Sequence, residues 1–413
     1  SLEKAFEKIL LSGIPCMAVP LLHNTCRDTA TDEDWVREMI ETPYRTGAAT
    51  SPTYMHLLRA ARGMFEPEEI VRLLPPLRSG LAEAERAGAP EADVDPIALT
   101  ETLAVDFLRQ GGKHLRPFIT LAAYDAMRGG LATGPDGATC AARISVPVRR
   151  IALAIEVFHK ASLVHDDIED DDAFRYGRPA LHRKHGSPTA INVGDYLIGL
   201  GYRLVAEQRR WLATEAVADI LVRLAEAHTK LCEGQGAELA WCDGNRRGIS
   251  PPETLKIYAL KTAPAFEAAL YAGLRLAAPV LVEKEPCARF ARHLGVAFQI
   301  LNDLDDWRGD PSNKRTSGSD ALGRRPTILW ALALENLDPA GRRELESLIP
   351  QSPASAGSLI DAVRRLYDRA GVFEQARALV DKHRQRARDV AASLESPSLA
   401  QLLHYLADTV LGG

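Results

Sequence analysis

Apolar residues recur along this chain at three- and four-residue intervals and strict alternation is scarce, so the pattern predicts an all-α protein. Two segments depart from the amphipathic norm. From Ile151 to Val164 (IALAIEVFHKASLV) the chain is apolar almost all round, which predicts a helix buried on every side. It runs into LVHDDIEDDD, where Asp166, Asp167, Glu169, Asp170, Asp171 and Asp172 make six acids in seven residues. A second largely apolar helix, over 284–307, leads into FQILNDLDDWRGD and repeats the arrangement.

Further helices are expected near 33–41, with Asp32 as cap, and near 55–64, 67–87, 96–110, 116–128, 192–207 and 214–241. The loop GGLATGPDGA (129–138) precedes the apolar helix, and FRYGRPALHRKHG after the acids reads as basic and irregular. Ser250 with proline just inside starts another helix, which carries Lys261-Thr262 and which Pro264 should kink. A polar loop over 309–325 holds Lys314, Arg315, Arg324 and Arg325; the remainder is helical, with a break at PQSPASAG (350–357). The linker-like AGAPEADVDP divides an N-terminal helical extension, 1–95, from a larger domain, 96–413. No repeat of fixed period is present.

The acidic helix ends are electrostatically unfavourable alone. Asp166 and Asp170 repel at i,i+4, and acids at a helix C-terminus oppose the macrodipole. A hard divalent cation relieves both. A single such cluster is as well explained by a solvated helix end; two in one chain suggest a metal cage. Lys113, Arg116, Arg175, Lys261 and the 314–325 group supply cations for a polyanion. Together these parts suit Mg²⁺ and a diphosphate with an apolar tail, whose leaving group metal and cations would stabilise in a dry site.

Composition narrows the setting. The net charge is −5 with a pI near 6.2, and no basic-aromatic pattern suggests nucleic acid. The six cysteines are scattered without metal-type spacing, as in a reducing compartment. No apolar run suits a bilayer, and SLEKAFEKILLSG lacks the basic-then-apolar form of a signal peptide, so a cytoplasmic location is expected.

Over roughly 97–413 the chain resembles the trans-type (head-to-tail) isoprenyl diphosphate synthases. GGKHLRP (111–117) is similar to that family's homoallylic motif, implicating Lys113 and Arg116 in isopentenyl diphosphate binding; His159, seven residues before Asp166, sits where a third contact is found. Asp166, Asp167 and Asp170 match the first DDxxD, the implied Mg²⁺ ligands. Arg175 matches the first arginine of RRG, a diphosphate contact. Gly234-Gln235 resembles the GQ motif and Lys261-Thr262 the KT motif; Phe298-Gln299 opens the FQ segment before the second acidic motif, with Asn302, Asp303 and Asp306 as further implied ligands. The resemblance implies a helical bundle around a central cavity, a homodimer, and about three Mg²⁺ ions per site bridging carboxylates to diphosphate. It implies transfer of an allylic prenyl group to isopentenyl diphosphate, with Lys261, Thr262, Gln299 and Arg175 nearest the chemistry and Gln235 and Arg325 among the substrate contacts.

Departures are specific. Asn302 opens the second motif where an aspartate is usual, Tyr176 replaces the second arginine of RRG, and Glu238 replaces the aspartate after GQ. Asn302, Asp306 and Asp310, at i, i+4 and i+8, loosely resemble the metal motif of class I terpene cyclases, and a cyclase is the alternative reading; a non-catalytic partner subunit is a third. Retention of GGKHLRP favours condensation. The resemblance implies a product tunnel along the helix of the first acidic motif; Ala161 and Ser162, small residues five and four before Asp166, would leave it open, and Phe158 one turn deeper is a candidate floor, implying about twenty carbons, geranylgeranyl diphosphate.

Overall fold

The computed structural model describes residues 54–77, 95–243, 248–279, 284–308, 318–323, 325–348 and 356–411. The expected helix at 33–41 and its cap, and the cations Lys314, Arg315 and Arg324, lie outside these ranges. Among the described residues the fold is helical apart from one two-stranded hairpin. In chain order the helices are α1 (Met55–Gly63), α2 (Pro67–Leu73), α3 (Leu99–Arg109), α4 (Leu115–Ala126), α5 (Gly137–Ala142), α6 (Val146–Glu169), α7 (Leu181–His185), α8 (Ser187–Ala206) and α9 (Thr214–Asp243). They continue as α10 (Pro251–Lys261), α11 (Ala263–Ala277), α12 (Lys284–Asp306), α13 (Ser319–Leu322), α14 (Ile328–Asn336), α15 (Pro339–Leu348), α16 (Ala356–Ala370), α17 (Val372–Ala392) and α18 (Pro397–Leu411).

The apolar helix α6 lies at the centre, packed against α8, α4 and α11. Every residue from Ile151 to Val157 is buried, including Glu156. Its next turns differ: Phe158, His159, Leu163, His165 and Asp166 are half-buried and Ser162 is exposed. Phe158, Ser162 and Asp166, spaced by four, therefore form one accessible column on an otherwise buried helix. Helix α11 lies against α4, α9 and α12, and α12 is backed by α17.

Several element ends differ from the sequence expectation for identifiable reasons. Helix α8 starts at Ser187, because Gly186 and then Pro188 in the first turn form a start signal that the apolar pattern does not carry. The break near Pro264 falls at Thr262, whose backbone (φ −126°, ψ −45°) leaves the helix, so α10 and α11 are separate rods. The start of α10 is secured by Glu253, which accepts from the Ser250 backbone N–H at 2.9 Å and its hydroxyl at 2.6 Å. The irregular segment after the acids contains a hairpin pairing Phe174 with Pro179 and Arg175 with Arg178. Its two turn residues, Tyr176 (φ 53°) and Gly177 (φ 75°), both have positive φ, as a tight two-residue turn requires.

The described part of the N-terminal extension shares the main core. Leu57, Met64, Ile70 and Leu73 are fully buried with it, and Tyr54 packs on Tyr405 with ring centroids 4.3 Å apart. Phe65 stacks on His114 at 3.9 Å. Segment 54–77 thus supports the loop that carries GGKHLRP.

Candidate active site

The acids at the end of α6 meet three cations: Arg175 of the hairpin that follows, and Lys261 and Arg325 from farther along the chain. Asp167, 1% exposed, accepts from Arg175 Nε at 2.8 Å and from its Nη2; the same guanidinium reaches Asp172 at 3.2 Å. Burial alone would lower the Arg175 pKa, but these carboxylates raise it overall. Asp170 is ion-paired with Arg325 at 2.8 Å. Asp166 is pushed up to about 7, first by burial and then by Asp170 and Glu169, against the opposing pull of Lys261.

Lys261 stands at the junction of α10 and α11, where its ammonium meets Glu238 of α9 at 2.8 Å. Glu238 is buried and acts electrostatically on Lys261, Arg325, Asp170 and Asp303, so it lies between the two acidic motifs. Thr262 Oγ1 donates to Gln299 Oε1 at 3.2 Å, coupling the same junction to α12. Gln235 donates to Glu169 at 2.6 Å, and its Oε1 is buried without a hydrogen-bond partner. The glycines explain the closeness. A Cβ on Gly234 would sit 2.5 Å from the Lys261 nitrogen, and one on Gly295 2.7 Å from Ala263 Cα. The junction is held between two helices that carry no side chain at the contact.

The three residues expected as ligands in the second motif occupy different settings. Asp303, 2% exposed, accepts from the Tyr258 hydroxyl and from Ile328 N at 3.0 Å; burial and then Asp320 raise its pKa well above the usual range. Asp306 accepts from Asp320 N at 3.1 Å, and Asp320 is 3.3 Å from Arg325. Arg325 therefore ties Asp170 to the neighbourhood of the second motif. Asn302 is exposed. Asp310 lies outside the described residues.

The loop 110–114 leads into α4. Gly111 (φ 38°), Gly112 (φ 112°) and His114 (φ 49°) all take left-handed backbone, and two glycines make that accessible. Lys113 lies over the Phe298 ring at 5.8 Å and Arg116 over Phe266 at 5.4 Å. Arg116 Nε is buried without a hydrogen-bond partner. Burial lowers the Arg116 pKa against the raising influence of Glu156, Tyr176 and Asp166. His159 is held well below its usual pKa by burial and by Arg116, so it is neutral. Burial works against the Glu156 charge, but a hydrogen bond from His114 and the nearby Lys160 outweigh it and lower its pKa.

Sequence reasoning missed Lys160, Glu156 and Tyr258. The signal for the first two was present: two charges at i,i+4 inside an apolar helix. His165, beside Asp166 in sequence, faces Asp195 at 3.6 Å.

The donor set fits a hard cation. Asp166 and Asp170 are carboxylates that burial keeps from easy ionisation, a strain a divalent ion would relieve. Among the described residues no three His, Cys, Asp or Glu side chains already gather round one point. Mg²⁺ commonly takes one or two carboxylates and completes its shell with waters and substrate phosphates.

Acids, arginines and a lysine brought together in this way are the groups that a metal-bridged diphosphate would engage. Comparison with known proteins makes this specific. The family model described as polyprenyl synthetase matches residues 98–366, and the chain belongs to that family, the trans-prenyltransferases. It is 29% identical over 328 residues to a short chain isoprenyl diphosphate synthase of Methanothermobacter thermautotrophicus, covering 79% of this chain and 94% of the relative. It is 30% identical over 307 residues to a geranylfarnesyl diphosphate synthase of Aeropyrum pernix, covering 73% and 91%. Among solved structures, geranylgeranyl pyrophosphate synthetase from Pyrococcus horikoshii superposes with a TM-score of 0.70 at 24% identity, covering 87% and 98%. A polyprenyl synthase from Caulobacter crescentus complexed with calcium and isoprenyl diphosphate gives 0.67 at 24% identity, covering 89% and 99%; both show the shared fold.

Proposed function

We propose that the protein joins an allylic prenyl diphosphate to isopentenyl diphosphate in the presence of Mg²⁺, and that its product is geranylgeranyl diphosphate. One observation carries the reading: a second set of cations lies beside the acidic end of α6. Asp166, Asp170, Lys261, Arg175 and Arg325 are suited to a metal-bridged allylic diphosphate. Lys113, Arg116 and His159 form the second set; Asp166 is near enough to raise the Arg116 pKa, and Arg116 Nε is buried and unpartnered. A bound isopentenyl diphosphate would supply the missing acceptor and offset the burial of that guanidinium.

Asp166, Asp167, Asp170, Asn302, Asp303 and Asp306 are the candidate metal ligands, of which Asp166 and Asp170 fit best. The bound ions would neutralise charge developing on the departing diphosphate. Lys261 and Arg325 would bind its remaining oxygens, Arg175 would orient Asp167 and the phosphate, and Thr262 and Gln299 would line the carbocation. A proton is then lost from the new C–C unit to the released diphosphate. The family resemblance, and exposed Ile97, Leu99 and Ile191 on the mutually packed α3 and α8 region, support a homodimer. None of the described helices is long and apolar enough to cross a membrane, and a cytoplasmic location is part of the proposal.

The product length rests on the accessible column of α6. Phe158 closes it, packed edge-on to Tyr202 at 4.8 Å and against Gly201, where a Cβ would meet the ring at 2.8 Å. Phe158 lies two turns from Asp166, about 12 Å along the axis. The test is incubation with Mg²⁺ and allylic diphosphates, with and without isopentenyl diphosphate, followed by mass analysis. Elongated diphosphates that require isopentenyl diphosphate support condensation; cyclic hydrocarbons formed without it would support the cyclase reading, and no turnover the partner-subunit reading. Phe158→Ala is expected to lengthen the product by one or more isoprene units and Ala161→Phe to shorten it. Unchanged products in both variants would remove Phe158 as the floor.

A further inference from the structure

Lys160 is a long cation with 0% exposure in the middle of the most apolar helix. Burying an ammonium costs several kcal/mol unless it is paired and hydrogen-bonded. Several of its contacts bear on one loop. Nζ donates to the carbonyl oxygens of Gln110 and, at 2.9 Å, Gly111. It lies under the Tyr176 ring at 4.2 Å and near that of Phe107 at 5.4 Å. Glu156, one turn earlier, balances the charge.

The same ring presses on the same loop. A Cβ placed on Gly111 would be 2.6 Å from Tyr176 Cδ1, and one on Gly112 would be 3.5 Å from Lys160 Nζ. Three of the four residues Gly111 to His114 have positive φ; glycine takes it freely at two of them, and only His114 does so at a steric cost. Lys160 takes two of the loop's carbonyls and Tyr176 covers the cation from the opposite hairpin. We propose that Lys160 and Tyr176 act together as positioning residues, fixing the 110–114 loop so that Lys113 and Arg116 are aimed at the isopentenyl diphosphate. Tyr176 is thus the cover of a buried cation rather than a weakened phosphate contact. An arginine at that position would bring a second positive charge against Lys160, so Tyr176→Arg alone raises the KM for isopentenyl diphosphate instead of lowering it.

The inference rests on reading residues 111–117 as the isopentenyl diphosphate site, and two readouts keep the claims apart. In Lys160→Met and in Tyr176→Leu the KM for isopentenyl diphosphate should rise about tenfold or more, the scale of losing hydrogen bonds to a charged group. The KM for the allylic substrate and kcat should stay within about threefold, a change under ~1 kcal/mol. Because both side chains act through one loop, the double variant should be no worse than the poorer single one. Independently of substrate, amide hydrogen exchange over 110–114 should quicken in each variant while α6 and α8 stay protected. Unchanged exchange in that loop, multiplicative KM losses in the double variant, or parallel loss of kcat and both KM values would each overturn the proposal. Tyr176 lies on a half-buried hairpin, so Tyr176→Leu provides the test even where Lys160→Met does not fold. Failure of the wild-type protein to use isopentenyl diphosphate would instead overturn the site assignment and leave the exchange result standing.

Discussion

Asp166 shows at the scale of one residue how the site exchanges stability for metal affinity. Its pKa is raised from an unfolded value near 3.8 to about 7, so the folded state favours the protonated form. The resulting penalty is absent below the unfolded pKa, grows as pH rises through the window, and is complete above about 7. Asp166→Asn imitates the protonated acid. Calorimetry in chelator should find the variant more thermostable than wild type at pH 8, with the gain vanishing toward pH 4, while Mg²⁺-dependent turnover is lost. A variant that remains active, or is less stable at pH 8, would contradict this account. The motif residues themselves were legible because each needs its chemistry at a fixed spacing. Their partners were not. That Asp303 bonds Tyr258 and that Arg325 reaches Asp170 depends on helices far apart in sequence, and no local pattern encodes such pairings.

Among the elements, helix existence was readable from period alone, but the functional detail lies in contacts between helices. The Lys261-Thr262 junction was visible through Pro264; that two glycines clamp it from α9 and α12 was not, because a glycine for close approach looks like any other. Gly234→Ala would place a Cβ 2.5 Å from backbone that cannot yield. We expect a loss of about 1–3 kcal/mol from overpacking, together with lower kcat as Lys261 shifts. Gly236→Ala, two residues on with nothing within 4 Å, should instead gain about 0.5–1 kcal/mol in the same helix. Equal effects of the two substitutions on melting temperature would dismiss the clamp. The α12–α17 contact offers a second test. His293 and His383 meet at 3.2 Å, and burial, then His293 and nearby Arg386, hold His383 at about 4. A depressed histidine contributes stability above its unfolded pKa of 6.5, and that stability is lost as pH falls toward about 4. His383→Gln cannot charge, so its melting temperature should fall less than that of wild type between pH 7 and 5; an identical acid slope would mean that the pair does not report on this contact.

For the molecule as a whole, the sequence divided an N-terminal extension from the rest, whereas segment 54–77 shares the core and stacks Phe65 on His114. The apolar positions of that segment were visible; the surface they fill is assembled from α4, α6 and α18 and is invisible to local reading. The same holds for the joining of the two acidic motifs, which the tertiary chain Asp170, Arg325, Asp320 and Asp306 links among the described residues. A ligand that binds across this chain should stabilise the folded molecule by mass action, about 2.7 kcal/mol at a hundred times its Kd. Inorganic diphosphate with Mg²⁺ is the simplest probe. Each alone should shift the melting temperature little: diphosphate meets uncompensated carboxylates, and the metal lacks its phosphate ligands. Together they should raise it by a few degrees, the size expected from such an energy in a protein of this length. Chelator should abolish the shift, and Asp170→Ala should reduce it by removing a carboxylate from the acidic cluster. A full shift with diphosphate alone would mean that the arginines and Lys261 bind the anion without a metal bridge. No shift with both would mean that the two acidic motifs do not form one site.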